Sequence, residues 1–156
     1  MGDCKDGLGS STMSQDADPK VIAERHELPG SRETMDFVQS SILSSMEKFG
    51  YCEDDLFAVR IAVEEAIANA VLHGHRGNQS QLIDMSWTIS QFEVEIIVLD
   101  GGRGYDQTAV PDPTLDENLT LPSGRGLAMI HAFMTEVEIT ESGKKIRMKR
   151  RKQIEQ

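Results

Sequence analysis

The chain of 156 residues has only two cysteines, Cys4 and Cys52, which provide neither a disulfide framework nor a repeated metal-binding spacing. It has no apolar run near the roughly twenty residues that a membrane-spanning helix needs. Its polar, glycine-rich start also lacks the pattern of a signal peptide. These absences exclude a small disulfide-bonded scaffold, and they predict a soluble protein of a reducing cytoplasm that makes no membrane contact.

Positive charge is scarce and unevenly distributed. Sixteen Lys and Arg residues stand against twenty-six Asp and Glu residues, a formal net charge of -10, which argues against direct nucleic-acid binding. Seven of the sixteen basic residues nevertheless lie between Lys144 and Lys152. Two interpretations of this run stay open: an edge strand and tail protected by solvated lysines, or a docking patch for an acidic partner.

The length fits one domain with enough chain for a real core. Residues 1–20 are rich in Gly, Ser and Asp, so we expect a disordered leader there. The domain is expected at 21–152 and a short tail at 153–156. No internal repeat is visible in the sequence.

The hydrophobic periodicity predicts helices and strands in alternating groups. Pro29 and Gly30 break the first strand, and Ser31 is a candidate cap for a helix that ends near Gly50. Strands are predicted at 21–28, 82–89, 92–99, 136–141 and 145–150, further helices from 53 and at 126–133, and a long loop at 106–122. This order predicts an α+β two-layer sandwich, with helices on one face of a mainly antiparallel sheet.

The second predicted helix contains the most informative segment of the chain. Glu65 and Asn69 are four residues apart and therefore share one helix face, in a segment otherwise rich in Ala, Ile and Val. A polar group in such surroundings needs a partner or remains unpaired at a cost, and a magnesium nucleotide would supply partners. The alternatives are a surface acid that pairs with a neighbour such as Arg60, and an amide already satisfied within the sandwich.

Two glycine-rich segments follow. Asp100 ends an apolar strand and is followed by three glycines within four residues, and a second glycine motif at 123–127 opens a helix. A carboxylate at a strand end can accept a hydrogen bond from an exocyclic amine at the floor of a pocket. The free N–H groups of a helix start suit phosphate oxygens. Taken singly, each segment also fits an ordinary turn or helix start.

Together, and in this order, the three segments resemble the N, G1 and G2 boxes of the GHKL or Bergerat-fold ATPase superfamily. The motif sequences are most similar to those of its anti-sigma factor serine/threonine-protein kinase branch. The matching residues are Glu65, Ala66, Asn69, Ala70, His73 and Gly74 in the N box, Asp100, Gly102 and Gly104 in the G1 box, and Gly124, Gly126 and Leu127 in the G2 box. The similarity covers roughly residues 27–152 and implies the histidine kinase-like ATPase fold.

The resemblance also implies roles for these residues. Glu65 would be the catalytic base, Asn69 would coordinate the Mg²⁺ that bridges the phosphates of ATP, and Asp100 would bind the adenine amino group. The other nucleotide-binding candidates are Gly102, Gly104, Gly124, Arg125, Gly126 and Leu127.

Two further pairs of side chains belong to these motifs. Arg103 and Arg125 lie inside the glycine segments, where either could neutralise phosphate charge, exposed arginines being the alternative. His73 and His75 lack further ligands at zinc spacing, so we expect His73 at the end of the N-box helix and His75 in a loop.

The activity implied by the resemblance is an ATP-dependent protein serine/threonine kinase that acts as an anti-sigma factor. Its expected partners are a small antagonist protein, which it phosphorylates, and an RNA polymerase sigma factor, which it sequesters. A homodimer is an expectation from the resemblance alone. Two alternatives stay open: a non-catalytic nucleotide-binding partner-switch module of the same fold, and a stand-alone ATPase.

The last predicted hairpin departs from the family pattern. Many relatives have Gly followed by Thr near the adenine, whereas this chain has Gly143, Lys144 and Lys145. Thr140 is not an obvious substitute, so a nucleotide contact from the last strand is in question.

Overall fold

The computed structural model describes residues 20–74, 82–100, 124–141 and 143–154. In chain order the elements are β1 (Val21–Pro29), α1 (Arg32–Lys48), α2 (Glu53–Gly74), β2 (Leu82–Ser90), β3 (Glu93–Asp100), α3 (Gly124–Phe133), β4 (Glu136–Thr140) and β5 (Lys145–Arg151). The predicted leader up to residue 19, the predicted loop at 106–122 and His75 lie outside the described residues.

The five strands form one antiparallel sheet in the order β1-β2-β3-β5-β4. Alternate residues of β2 and β3 are buried, which is the period of a strand with one face on a core. The buried side chains of α1 and α2 join those of the sheet in one hydrophobic cluster. The predicted α+β fold, with helices packed on a mainly antiparallel sheet, is confirmed.

Helix α1 begins and ends where the sequence predicts. Ser31 is its N-cap, and the Ser31 hydroxyl accepts a hydrogen bond from the backbone N–H of Thr34 at 3.2 Å, which satisfies one of the free donors of the first turn. The helix ends at Lys48, and Gly50 follows with φ of +76°, a value that favours glycine. None of the helices in the described part of the chain has the length and apolar character needed to cross a membrane.

Helix α2 positions the candidate site. Its buried face consists mainly of small or β-branched side chains, which let the helix lie close to the sheet: Ala58, Val59, Ala62, Val63, Ala66, Ile67 and Ala70. His73 lies in the last turn of this helix, as expected. Asn69 therefore lies on the buried face of α2, among small and β-branched side chains, and Glu65 lies one turn before it.

The interpretation of the basic run as an edge strand is wrong. β5 lies between β3 and β4 and is an interior strand, and Ile146 and Met148 point into the core. Its cations pair with carboxylates on both neighbouring strands. These pairs are Arg147 with Glu95 and Glu138, Lys149 with Glu93, and Arg151 with Glu136. Local composition does not reveal strand order, so the sequence alone left these partners unseen.

Candidate functional site

A cavity lies between α2, the end of β3, the start of α3 and the β4–β5 hairpin. Its described lining residues are Ala66, Asn69, Ala70, Val98, Asp100, Leu127, Ile139, Gly143, Lys144 and Ile146. Most of these are apolar or small, so the polar groups of Asn69 and Asp100 stand in apolar surroundings. A few polar groups within an apolar pocket suit a ligand that has a flat ring with polar edges.

Asn69 is the most unusual of these residues. Its side chain is buried, and Nδ2 has no hydrogen-bond partner among the residues that the structure describes. An unpaired buried amide costs about 1–3 kcal/mol, so an amide fully satisfied by the sandwich is not what the structure contains. Since the amide O and N are assigned from the hydrogen-bond network, the observation marks a free amide position in the cavity wall. It fits a bound polar ligand.

Asp100 is the last residue of β3, as predicted, and is only 4% exposed. Its backbone N–H donates to the Lys144 carbonyl oxygen at 2.9 Å, which joins the end of β3 to the β4–β5 hairpin. Asp100 lines the same cavity as Asn69. Sequence spacing placed these residues in separate motifs, and the fold brings them together.

Glu65 lies one helical turn before Asn69 and is half-buried. Among the described residues it forms no ion pair with Arg60, the alternative that the sequence allowed. Residues five apart lie about 140° from each other around a helix, so the two side chains do not meet. Glu65 is not one of the described residues that line the cavity, and its role as base stays a prediction.

The structure places only part of the two glycine motifs. Gly102, Arg103 and Gly104 lie outside the described residues. Gly124 and Arg125 form the first turn of α3, Gly126 is buried, and Leu127 lines the cavity. The start of α3 is therefore beside the cavity, and the positive end of this helix lies there.

Several lining residues went unrecognised in the sequence. Val98 is two residues before Asp100 and so shares its face of the strand, and Ile146 is opposite Val98 in the register. Gly143 and Lys144 also line the cavity, whereas Thr140 does not. The hairpin that departs from the family pattern therefore borders the site. Strand periodicity could have identified Val98 and Ile146 as buried positions. It could not have predicted that β3 pairs with β5.

The side chains that line the cavity could help to bind a metal ion that a nucleotide also coordinates. They do not form a metal site made of protein ligands alone. The described ranges contain no group of three or more His, Cys, Asp or Glu residues able to hold a metal ion. Mg²⁺ keeps several waters and is commonly bound through one or two protein ligands together with phosphate oxygens. A single amide oxygen from Asn69 is compatible with that arrangement.

The cavity is small as it stands. Its volume between the described walls is about 30 Å³, room for one or two water molecules. A purine ring is larger than this volume. Ile139, which lines the cavity from the edge strand β4, is 38% exposed.

Comparison with known proteins places this site in a family. The sequence pattern of the histidine kinase-like ATPase domain matches residues 28–150. The chain therefore belongs to the histidine kinase-like ATPase family, which confirms the resemblance drawn from the three motifs.

The sequence is also similar to individual proteins of this family. The chain is similar to the serine-protein kinase RsbW of Staphylococcus aureus, at 29% identity over 129 residues, or 78% of this chain and 81% of the relative. It is 31% identical, over the same shares, to the serine-protein kinase RsbW of Staphylococcus epidermidis.

A solved structure shares the fold. The RsbU and RsbW domains of Rv1364c from Mycobacterium tuberculosis match 85% of this chain with a TM-score of 0.59 and 19% identity. This chain spans 33% of that longer chain, and at this identity the likeness concerns the fold alone.

Proposed function

We propose that this protein is a cytoplasmic, ATP-dependent protein serine/threonine kinase that phosphorylates a small antagonist protein and acts as an anti-sigma factor by sequestering an RNA polymerase sigma factor. The observation that carries the proposal is the buried amide of Asn69, unpaired within the described residues, beside Asp100 in an apolar cavity. The similarity to proteins named serine-protein kinase RsbW supports the choice of protein kinase.

The adenine ring would bind beside Asp100, and the phosphates would bind beside Asn69 and the start of α3. Asp100 would accept a hydrogen bond from the adenine amino group, while Val98 and Ile146, which are neighbours on one face of the sheet, would cover one side of the ring and exclude water. Asn69 would hold the Mg²⁺ that accompanies the phosphates. The start of α3, where Gly126 lies, would turn the positive end of that helix toward the phosphate oxygens. Bound ATP supplies the phosphoryl group for transfer.

Glu65 would act on the protein substrate. Transfer of a phosphoryl group depends mostly on positioning and on stabilising charge, and the base takes the proton of the attacking serine or threonine hydroxyl. Glu65 lies one turn before Asn69 on α2, and its place beside the phosphates of the bound nucleotide is part of this proposal. Such a base contributes roughly 10²- to 10⁴-fold to the rate.

Phosphate transfer from radiolabelled ATP to the antagonist protein tests this proposal. Glu65→Gln is expected to bind ATP normally and to lose at least about a hundredfold in transfer rate. Glu64→Gln, which changes the exposed neighbouring acid, is the matched control and should keep the wild-type rate.

The outcomes separate the competing functions. A normal transfer rate in Glu65→Gln removes Glu65 from the role of base. Nucleotide binding by the wild-type protein without any transfer indicates a partner-switch module, and phosphate release without labelled protein indicates a stand-alone ATPase. Labelling without capture of the sigma factor would limit the function to the kinase step.

A further inference from the structure

A second groove lies at the end of the sheet opposite the nucleotide cavity. It is formed by the β2–β3 turn, the end of β5 and the α1–α2 connection, and its volume is about 600 Å³. Phe92 and Ile154 in its wall are 70% and 86% exposed. Large apolar side chains so exposed commonly mark a docking site.

The groove is also positively charged. Arg151 and Lys152 line it, and none of the other described lining residues is acidic. Arg151 is paired with Glu136 at 2.7 Å, but Lys152 has no carboxylate partner within the described ranges. Its ammonium donates to the Phe49 carbonyl oxygen at 2.7 Å and lies 5.5 Å from the Tyr51 ring centre. The groove therefore suits an acidic segment that also carries apolar side chains.

The base of the groove is held in place by Tyr51. The Tyr51 hydroxyl donates to the Ser90 carbonyl oxygen at 2.6 Å and so joins the α1–α2 connection to the end of β2. Burial, together with nearby Asp55 and Glu93, raises the pKa of Tyr51, so this hydroxyl remains a donor at neutral pH. The groove is thus a fixed feature of the sheet end.

The chain itself supplies a segment of matching chemistry next to this groove. Val21 pairs with Ser90 in the register, so residues 1–19 join the sheet beside the β2–β3 turn. This segment contains Asp3, Asp6, Asp16 and Asp18 against a single lysine, and also Leu8 and Met13. Asp18 is three residues from Val21, about 10 Å of extended chain, and the full segment is long enough to cross the groove.

We propose that the acidic N-terminal segment, residues 1–19, docks in the groove lined by Phe92, Lys152 and Ile154. Asp16 and Asp18 lie near Lys152 and Arg151, and the apolar side chains of the segment cover Phe92. Cys52 lines the same groove, so docking shields its thiol and brings Cys4 close to it. The chain has no other cysteine, which makes the pair a native reporter of docking.

Alkylation of Cys52 by iodoacetamide tests the proposal in the full-length chain carrying Cys4→Ser. Asp16→Asn with Asp18→Asn is expected to speed alkylation about threefold, because two attractions to the groove are lost, and 0.5 M salt should do the same by screening. The matched control is Glu33→Gln with Glu64→Gln, which removes two exposed acids elsewhere and should leave the rate unchanged.

Disulfide formation in the unmodified chain gives an independent readout. Diamide takes two electrons and two protons from the Cys4 and Cys52 thiols and becomes the hydrazine, and the expected product is an intramolecular disulfide that forms more slowly in the Asp16→Asn, Asp18→Asn variant. Equal alkylation rates in all variants overturn the proposal and leave the groove to another protein. A disulfide that forms only between chains overturns it in favour of a second copy.

Discussion

Asn69 and Asp100 are polar residues at buried positions, where an apolar side chain is more usual. Both are buried, at 6% and 4% exposure, and Asn69 keeps an amide atom without a partner in the described part of the chain. A core designed for stability alone would place an apolar side chain at position 69, because replacing an unpaired buried polar group is neutral or stabilising. The loss of stability at position 69 is explained if a bound ligand forms a hydrogen bond with the Asn69 amide.

Asn69→Ala should therefore separate stability from binding. We expect an unchanged or slightly higher melting temperature, since an unpaired amide is removed, and a loss of at least about tenfold in affinity for ATP in the presence of Mg²⁺. Gln39→Ala is the control, because the Gln39 amide is half-buried and, within the described residues, donates to the Arg60 carbonyl oxygen. A clear loss of stability in Asn69→Ala would show instead that the amide is a structural group.

At this scale the sequence predicted well what lies within one helix or one strand. The spacing of Glu65 and Asn69 on α2, and the place of Asp100 at the end of β3, followed from helix and strand periodicity. The approach of Lys144 to Asp100 did not, because it depends on the pairing of β3 with β5, which are far apart in the chain.

Between elements, a buried ion pair joins three parts of the fold. Asp55 in the first turn of α2 is fully buried and bonds to Arg150 near the end of β5, with both nitrogen–oxygen distances at 2.8 Å. Arg150 also donates to the Phe133 carbonyl oxygen at the end of α3, and Asp55 accepts from the backbone N–H of Gln153. The pair fixes the ends of two helices against the last strand.

Arg150→Met should be strongly destabilising, because it leaves the Asp55 carboxylate buried without its cation. The expected cost is about 3–5 kcal/mol in the free energy of unfolding, measured by urea denaturation. Arg25→Met breaks the exposed pair with Asp84 and should cost less than about 1 kcal/mol. Equal losses in the two variants would contradict the structural role assigned to the buried pair.

The sequence predicted that acidic residues begin α2 but not what Asp55 does there. Negative charge at a helix start is favourable by itself, and Glu53 and Asp54 remain exposed as that explanation expects. Asp55 differs because the end of β5 crosses the helix start, a tertiary contact that no local pattern reports. The same reason accounts for the mistaken edge assignment of β5, since strand order is set by pairing between distant segments.

The whole molecule is an acidic protein whose basic residues are concentrated in one interior strand and its extension. On β5 these cations pair with Glu residues of β3 and β4, so much of the basic run stabilises the sheet. In the described extension Lys152 has no carboxylate partner, and it lines the groove at the end of the sheet opposite the cavity of Asn69 and Asp100. The two ends of the sheet therefore have different chemistry: one suits a nucleotide, the other an acidic segment.

The fold class could be predicted at this scale because three motifs appeared in the right order on the right elements. The family match over residues 28–150 agrees with that prediction. The residues of the first glycine motif after Asp100 lie outside the described ranges, whereas α2 and the start of α3 are described.

Calorimetric titration of the purified protein with ATP and Mg²⁺, repeated on Asp100→Asn, is the most direct test of a nucleotide site beside Asn69 and Asp100. We expect saturable binding by the wild-type protein and at least about tenfold weaker binding by Asp100→Asn, because its amide is a poorer acceptor for the adenine amino group. Asp36→Asn, an exposed control on α1, should bind as the wild type does. No binding by the folded wild-type protein, or equal binding by Asp100→Asn, would contradict a nucleotide site in this cavity.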